Sequence, residues 1–354
     1  MDYLLATSQG LARQLDGCMA HDAEYNHGLS DHLPMLLHSM HALGATESRL
    51  QEYASSYATR LEPRRVIPMD TGDWLALRGQ LDAYHALSAM FVQRIAVAGR
   101  DSVLRDALPH LMPGVGAGAF HGLIRCGHAL AARHDGELAN GLAYWAAAWL
   151  PLMPSADADE VRRPLPSPSL DLASWTRCAH DLRTALDTEQ PRITLRMKAW
   201  SAAPQFPVLA FALRTNDDTL RDIARFAATV YAQTGNFTVM HMVTSAHALL
   251  TLGPWFDDLK LATRWFGVAL LAALRAARLT RQQIDTSLVT MNEADAISAL
   301  PVLPWNELAA AAIASDDDHA AKIVYSSRAL FEMYGDAAFH AAATQGMLTQ
   351  TRPD

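Results

Sequence analysis

His32, His121, His241 and His319 each open an apolar stretch with helical spacing, in HLPMLLH, HGLIRCGH, HMVTSAH and HAAKIVY. Imidazoles far apart in the chain yet alike in local setting predict several helices delivering nitrogen ligands to one metal. Such a donor set suits iron, manganese, copper, nickel or zinc, whereas calcium and magnesium take oxygen ligands. A structural zinc site would bring thiolates at short spacing, and Cys18, Cys126 and Cys178 form no CxxC pair. The chemistry to expect is activation of dioxygen or of water in a dry helical pocket, followed by attack on a bound substrate.

Each stretch carries further polar groups. Around the first, Ser30 or Asp31 is placed to cap a helix whose first turn holds Pro34, where the missing donor costs nothing. His38 and His41, three residues apart, share a face with each other more than with His32. His27, in the preceding loop, is a possible gate. His121 and His128 are seven apart and fall on one stripe with Arg125 between them. Arg125 is a candidate for holding an anionic oxygen, and pairing with an acidic residue is its alternative. Glu137, Tyr144 and Trp145 are candidate pocket residues. His241 and His247 diverge by about 120° around a helix, so only His241 is expected at the metal, with Thr244 hydrogen-bonding nearby. Asp316 to Asp318 suit the positive end of the helix that follows them. Lys322 shares a face with His319 and has three readings: a snorkelling surface side chain, a neutral amine, or an amine carbamylated by carbon dioxide into a carboxylate ligand. Asp317 or Asp318 would supply the same negative charge.

The elements that must position these residues are helices. Ala, Leu and Met recur every three or four positions in LPMLLHSMHALG, LDAYHALSAMFVQRIA and LKLATRWFGVALLAALRAA, and alternating β-branched runs are almost absent. The expected fold is all-α: a single large multi-helical domain over 1–354 with a metal-centred pocket between helices. Five prolines in PLMPSADADEVRRPLPSPSL make 151–170 a connecting loop. Shorter breaks are expected at Pro63 to Pro68, Pro109 to Gly118, Thr188 to Pro191, Pro204 to Pro207 and Pro301 to Pro304. Composition excludes other classes. With 354 residues, half of them hydrophobic, the chain buries a large core. A net charge of −8 without a concentrated basic window argues against nucleic acid. The most apolar run, FGVALLAALRAA, is shorter than the roughly 20 residues that span a bilayer, and MDYLLATSQGLARQ is not a signal peptide. A cytoplasmic monomer or homodimer is expected. HExxH, GxSxG and the paired ExxH of carboxylate-bridged bundles are absent, and GVGAG follows Pro113 where a dinucleotide fold needs a strand.

Taken in order, SDHLPMLLHSMHALGA, GAFHGLIRCGHAL with GELANGLAYWA, GNFTVMHMVTSAHAL and DDDHAAKIVYS resemble the questin oxidase-like family, over about residues 25 to 335. The resemblance implies an oxidoreductase, since the family includes fungal enzymes that oxidise and open polyketide-derived anthraquinone rings in Baeyer–Villiger-type or ring-cleaving oxygenation. It places His32, His121, His241 and His319 at the family's recurring histidines and Lys322 at its recurring lysine. The expected cofactor is Fe(II) or another transition metal on those five residues, and the expected partners are a small aromatic molecule and dioxygen. His38 or His128 would move a proton and Arg125 would steady a developing oxyanion. No flavin or NADPH fingerprint is visible, which leaves NADPH as an external reductant open. The competing classes are a hydrolase using metal-bound hydroxide and a non-enzymatic helical ligand-binding protein.

Overall fold

The computed structural model describes residues 9–153 and 169–349. Within them the helical periodicity becomes eighteen α-helices and one two-stranded antiparallel ribbon, the all-α class that the sequence predicts. The helices are α1 (Gln9–Cys18), α2 (Leu33–Ala42), α3 (Glu47–Ala58), α4 (Tyr84–Ala98), α5 (Arg100–Leu111), α6 (His121–Ala131), α7 (Asp135–Ala147), α8 (Leu172–His180), α9 (Ile193–Ser201), α10 (Phe206–Ala212), α11 (Thr219–Thr234), α12 (Phe237–Leu252), α13 (Leu259–Ala276), α14 (Arg281–Asn292), α15 (Ala294–Ser298), α16 (Trp305–Ala314), α17 (Ala320–Tyr334) and α18 (Ala337–Thr349). The ribbon pairs β1 (Glu24–Tyr25) with β2 (Leu29–Ser30). Its turn runs through Asn26, His27 and Gly28, all at positive φ.

Four of these helices form a closed ring. α2 packs on α6, α6 on α12, α12 on α17, and α17 back on α2. Their starts are locally encoded. Pro34 sits in the first turn of α2, and the Asp31 carboxylate accepts from the Leu33 N–H at 2.8 Å. Ahead of α6, Gly118, Ala119 and Phe120 are all left-handed, a sharp turn that sets where His121 begins the helix. α12 is capped by Asn236, whose side chain accepts from Thr238 N and Val239 N. Asp317 accepts from His319 N at 2.7 Å just ahead of α17.

Close approach inside the ring depends on missing side chains. A Cβ on Gly122 would lie 2.6 Å from Trp145 Cα of α7, and one on Gly127 would lie 3.0 Å from Ala248 Cα of α12. Around the ring, α7 backs α6, α11 backs α12, and α18 backs α17. Leu37, Leu123, Val243 and Val324 are fully buried from the four helices in turn, and each such side chain contributes about 1.5–3 kcal/mol of burial.

Most of the proline-rich connection at 151–170 lies outside the described residues, but buried side chains from both sides of it belong to one hydrophobic cluster. Pro109 departs from its expected role as a breaker. α5 runs through it to Leu111, because the hydrogen bond a proline forfeits falls here in the last turn. No helix among the described residues is long and apolar enough to cross a membrane.

Candidate functional site

The four predicted histidines meet at one end of the ring. His32 stacks on His121 with ring centroids 4.5 Å apart, His121 lies 5.0 Å from His241, His241 5.6 Å from His319, and His319 4.7 Å from His32. His32 and His319 immediately precede their helices, His121 opens α6, and His241 stands one turn inside α12.

Every one of these imidazoles has an oxygen beside its Nδ1. His241 Nδ1 is 2.8 Å from Phe237 O, and His121 Nδ1 bonds Gly118 O. His319 Nδ1 lies 2.7 Å from Asp318 Oδ1, and His32 Nδ1 lies 3.2 Å from Asp318 Oδ2 in a contact off hydrogen-bond alignment. An Nδ1–H facing an oxygen fixes the tautomer and leaves Nε2 with its lone pair. Nε2 of His121 and of His319 are buried without a hydrogen-bond partner, the state expected of atoms that take a ligand. Burial pushes His32 down to about 3, with the Lys322 charge adding to the effect, and pushes His121 and His241 well below the ordinary histidine value. These three rings are therefore neutral at pH 7, the form that binds metals.

Asp318, His32 and His319 place one ligand-type atom each within 4.8 Å of one another, so two imidazoles and a carboxylate are a second donor set. In that set both Asp318 oxygens already face imidazole Nδ1 atoms and Tyr57 donates to Oδ2 at 3.1 Å, so the carboxylate also supports the two rings. Burial alone would raise the pKa of Asp318, but the imidazoles of His319 and His32 that face it hold it well below the usual carboxylate range. Lys322 is 4% exposed, so it is no snorkelling side chain. Burial pushes its amine down to about 8, against the pull of Asp318, Asp317 and Asp31.

A second tier lies beneath the first. His38, His128 and His247 surround the ring of Tyr325, with centroids 4.9, 5.3 and 5.4 Å from it. His38 Nδ1 and His128 Nδ1 are 2.9 Å apart, one donating and the other accepting. The tiers are six or seven residues apart on every helix, about 9–10.5 Å at 1.5 Å per residue. Since α2, α6, α12 and α17 all pass from the first tier to the second, the four helices run in the same sense.

Other expected residues fall elsewhere. Arg125 forms a buried bidentate pair with Glu137, Nη2 donating to Oε2 at 3.1 Å, and Asn140 donates to the same oxygen at 3.3 Å. This is the pairing alternative, and it leaves both Arg125 and Glu137 off the wall of the cavity described next. Trp145 packs against Gly122. His27 is exposed in the ribbon turn. Thr244 donates back to the Met240 and His241 carbonyls.

A cavity of about 560 Å³ opens over the first tier, with Asp318 and the four imidazoles in its wall. Phe237, Tyr25, Trp149, Leu150 and Leu195 contribute to its apolar surface, and Glu24, Ser30, Arg192, Thr194 and Lys198 are further polar residues in its wall. Its size suits one small molecule of a few fused rings. Sequence reasoning missed these wall residues, which come from the ribbon, the end of α7, α9 with the residue before it and, for Phe237, the first position of α12, and carry no periodic or motif signal. His247 and Tyr325 had a signal, because they end two of the stretches that His241 and His319 begin.

A family model described as Questin oxidase-like matches residues 29–327, most of the chain and all eight residues of the two tiers. The chain belongs to the Questin oxidase-like family. Membership makes it an oxidoreductase, and it points to polyketide-type substrates. No curated protein matches the sequence.

Proposed function

We propose that this member of the Questin oxidase-like family is a metal-dependent oxygenase, and that its substrate is an aromatic or quinone-like polyketide-type molecule bound in the 560 Å³ cavity. The observation that carries the reading is the common orientation of the first tier. The imidazoles of His32, His121, His241 and His319 all turn Nδ1 toward a carbonyl or carboxylate oxygen, an orientation that would leave each Nε2 for a ligand. That donor set suits iron, copper, manganese or zinc, and the family chemistry makes Fe(II) the first choice. His32, His121, His241 and His319 would hold the ion. Lys322 would complete the set as a carbamate, its amine adding to carbon dioxide with loss of one proton. Its burial below the imidazoles and near Asp31, Asp317 and Asp318 supports that placement.

When bound, a redox metal supplies the one-electron chemistry that lets dioxygen react with a closed-shell aromatic. The chain's own residues do the rest. Phe237, Trp149 and Tyr25 hold a flat ring against the first tier and keep water off it. Asp318 keeps His319 in one tautomer and faces Nδ1 of His32. The His38–His128 pair, with its single shared proton, is the proposed internal proton store. Arg125 acts through position, tying α6 to α7 via Glu137.

The test is oxygen uptake by the metal-loaded enzyme with a hydroxyanthraquinone, with and without NADPH. Uptake matched to loss of the aromatic chromophore is expected, and His121→Ala should lose metal and uptake together. Turnover that continues without dioxygen would move the assignment to a hydrolase. Lost activity at full metal occupancy in His121→Ala would make His121 a substrate contact or acid/base group.

A further inference from the structure

Two carboxylates stand in the cavity wall, Asp318 and Glu24. Asp318 is committed to His32, His319 and Tyr57. Glu24 is not committed in this way. It sits on β1, across the ribbon from Ser30, and its Oε1 accepts from the Tyr144 hydroxyl at 2.9 Å. Tyr144 is anchored in turn to Ser30 Oγ at 2.7 Å. One carboxylate oxygen is thus fixed by a buried phenol, and Oε2 has no hydrogen bond to Tyr144. Burial raises Glu24 above the usual glutamate value, while the Tyr144 hydrogen bond and the Arg192 charge oppose the rise and Asp22 adds to it. These three, from α7, from the residue before α9 and from the segment leading into β1, are the titratable or charged groups that act on it.

We propose that Glu24 is the group that selects a phenol or hydroquinone substrate and removes its hydroxyl proton as oxidation begins. The inference rests on the cavity's being the substrate site. The substrate O–H bond breaks, its electron pair stays on oxygen, and the proton passes to Glu24 and then to water at the cavity mouth, where Arg192 is exposed. An electron-rich phenolate gives up electrons to an oxidant far more readily than the phenol does, so placing a base here makes oxidation selective for hydroxylated rings. Glu24 touches the substrate and is a catalytic residue, whereas Tyr144 and Ser30 are positioning residues.

The test is a binding titration of the chelator-stripped protein with alizarin, a dihydroxyanthraquinone, and with its dimethyl ether, which has no proton to lose. Wild type is expected to prefer alizarin by about tenfold or more, the strength of a hydrogen bond to a charged acceptor. Glu24→Gln should bind both dyes with nearly equal affinity, and Glu24→Asp should keep part of the preference. The preference should fade as pH drops and Glu24 takes a proton. In Tyr144→Phe it should fade at a higher pH, because the lost hydrogen bond had lowered the Glu24 pKa; a merely structural role would weaken both dyes alike. Equal preference in wild type and Glu24→Gln overturns the proposal, as does failure of both dyes to bind wild type. Because the titration contains no metal, its result stands whether or not the first tier proves to bind one.

Discussion

Asp318 shows how one side chain sets the chemistry of two others. Its oxygens lie 2.7 and 3.2 Å from Nδ1 of His319 and His32, so a single carboxylate faces two rings on adjoining helices. Asn at this position keeps the shape but has one oxygen, and its amide nitrogen would face an N–H. Asp318→Asn is predicted to weaken metal binding by about 10–100-fold, the usual effect of losing a carboxylate that orients a metal-binding histidine, with the fold intact. Competition with a chelator measures it, and unchanged affinity would remove Asp318 from this role. The sequence showed Asp318 beside His319 and offered it as an anionic ligand. Spacing alone cannot say whether a carboxylate faces a metal or the back of an imidazole, because that depends on which way the chain turns before α17.

Among elements, the ring of α2, α6, α12 and α17 decides which residues meet. The divergence of His241 and His247 around α12 was legible, and its consequence is that His247 serves the second tier. What spacing could not give is the common sense of the four helices, because that is set by the connections between them. Two predictions belong here. Gly122→Ala puts a methyl against Trp145 backbone, where neither side can move without separating α6 from α7. A loss of about 1–3 kcal/mol is expected from such overpacking, read by denaturant unfolding. The second prediction concerns pH. Burial takes His247 from the ordinary histidine value down to about 4, so the unfolded chain binds the proton more readily than the folded one. Stability is unaffected above pH 6.5 and falls as pH drops from there toward 4. His247→Phe should therefore flatten part of that decline in the metal-free protein, and an unchanged slope would show that His247 is hydrated or protonated in the folded state.

For the whole molecule, one hydrophobic cluster draws on both sides of the 151–170 connection, and the first tier does the same, with His32 and His121 before it and His241 and His319 after it. A ligand shared by all four helices binds the folded chain alone, so metal removal should lower the unfolding midpoint. The difference is about 2.7 kcal/mol at a hundredfold excess over the dissociation constant. The all-α class and the first tier were legible because helix formers and histidine-led stretches are local patterns. The cavity wall was not, since Glu24, Trp149, Arg192 and Lys198 become neighbours only when the ribbon, α7 and α9 pack over the ring. The most direct measurement is the metal content of freshly purified protein, by elemental mass spectrometry with native-mass stoichiometry, beside a His121→Ala/His241→Ala variant. Close to one redox metal per chain, lost in the folded variant, is the predicted result; wild type that stays metal-free after anaerobic incubation with ferrous iron, or a variant that holds as much metal, would contradict the metal centre.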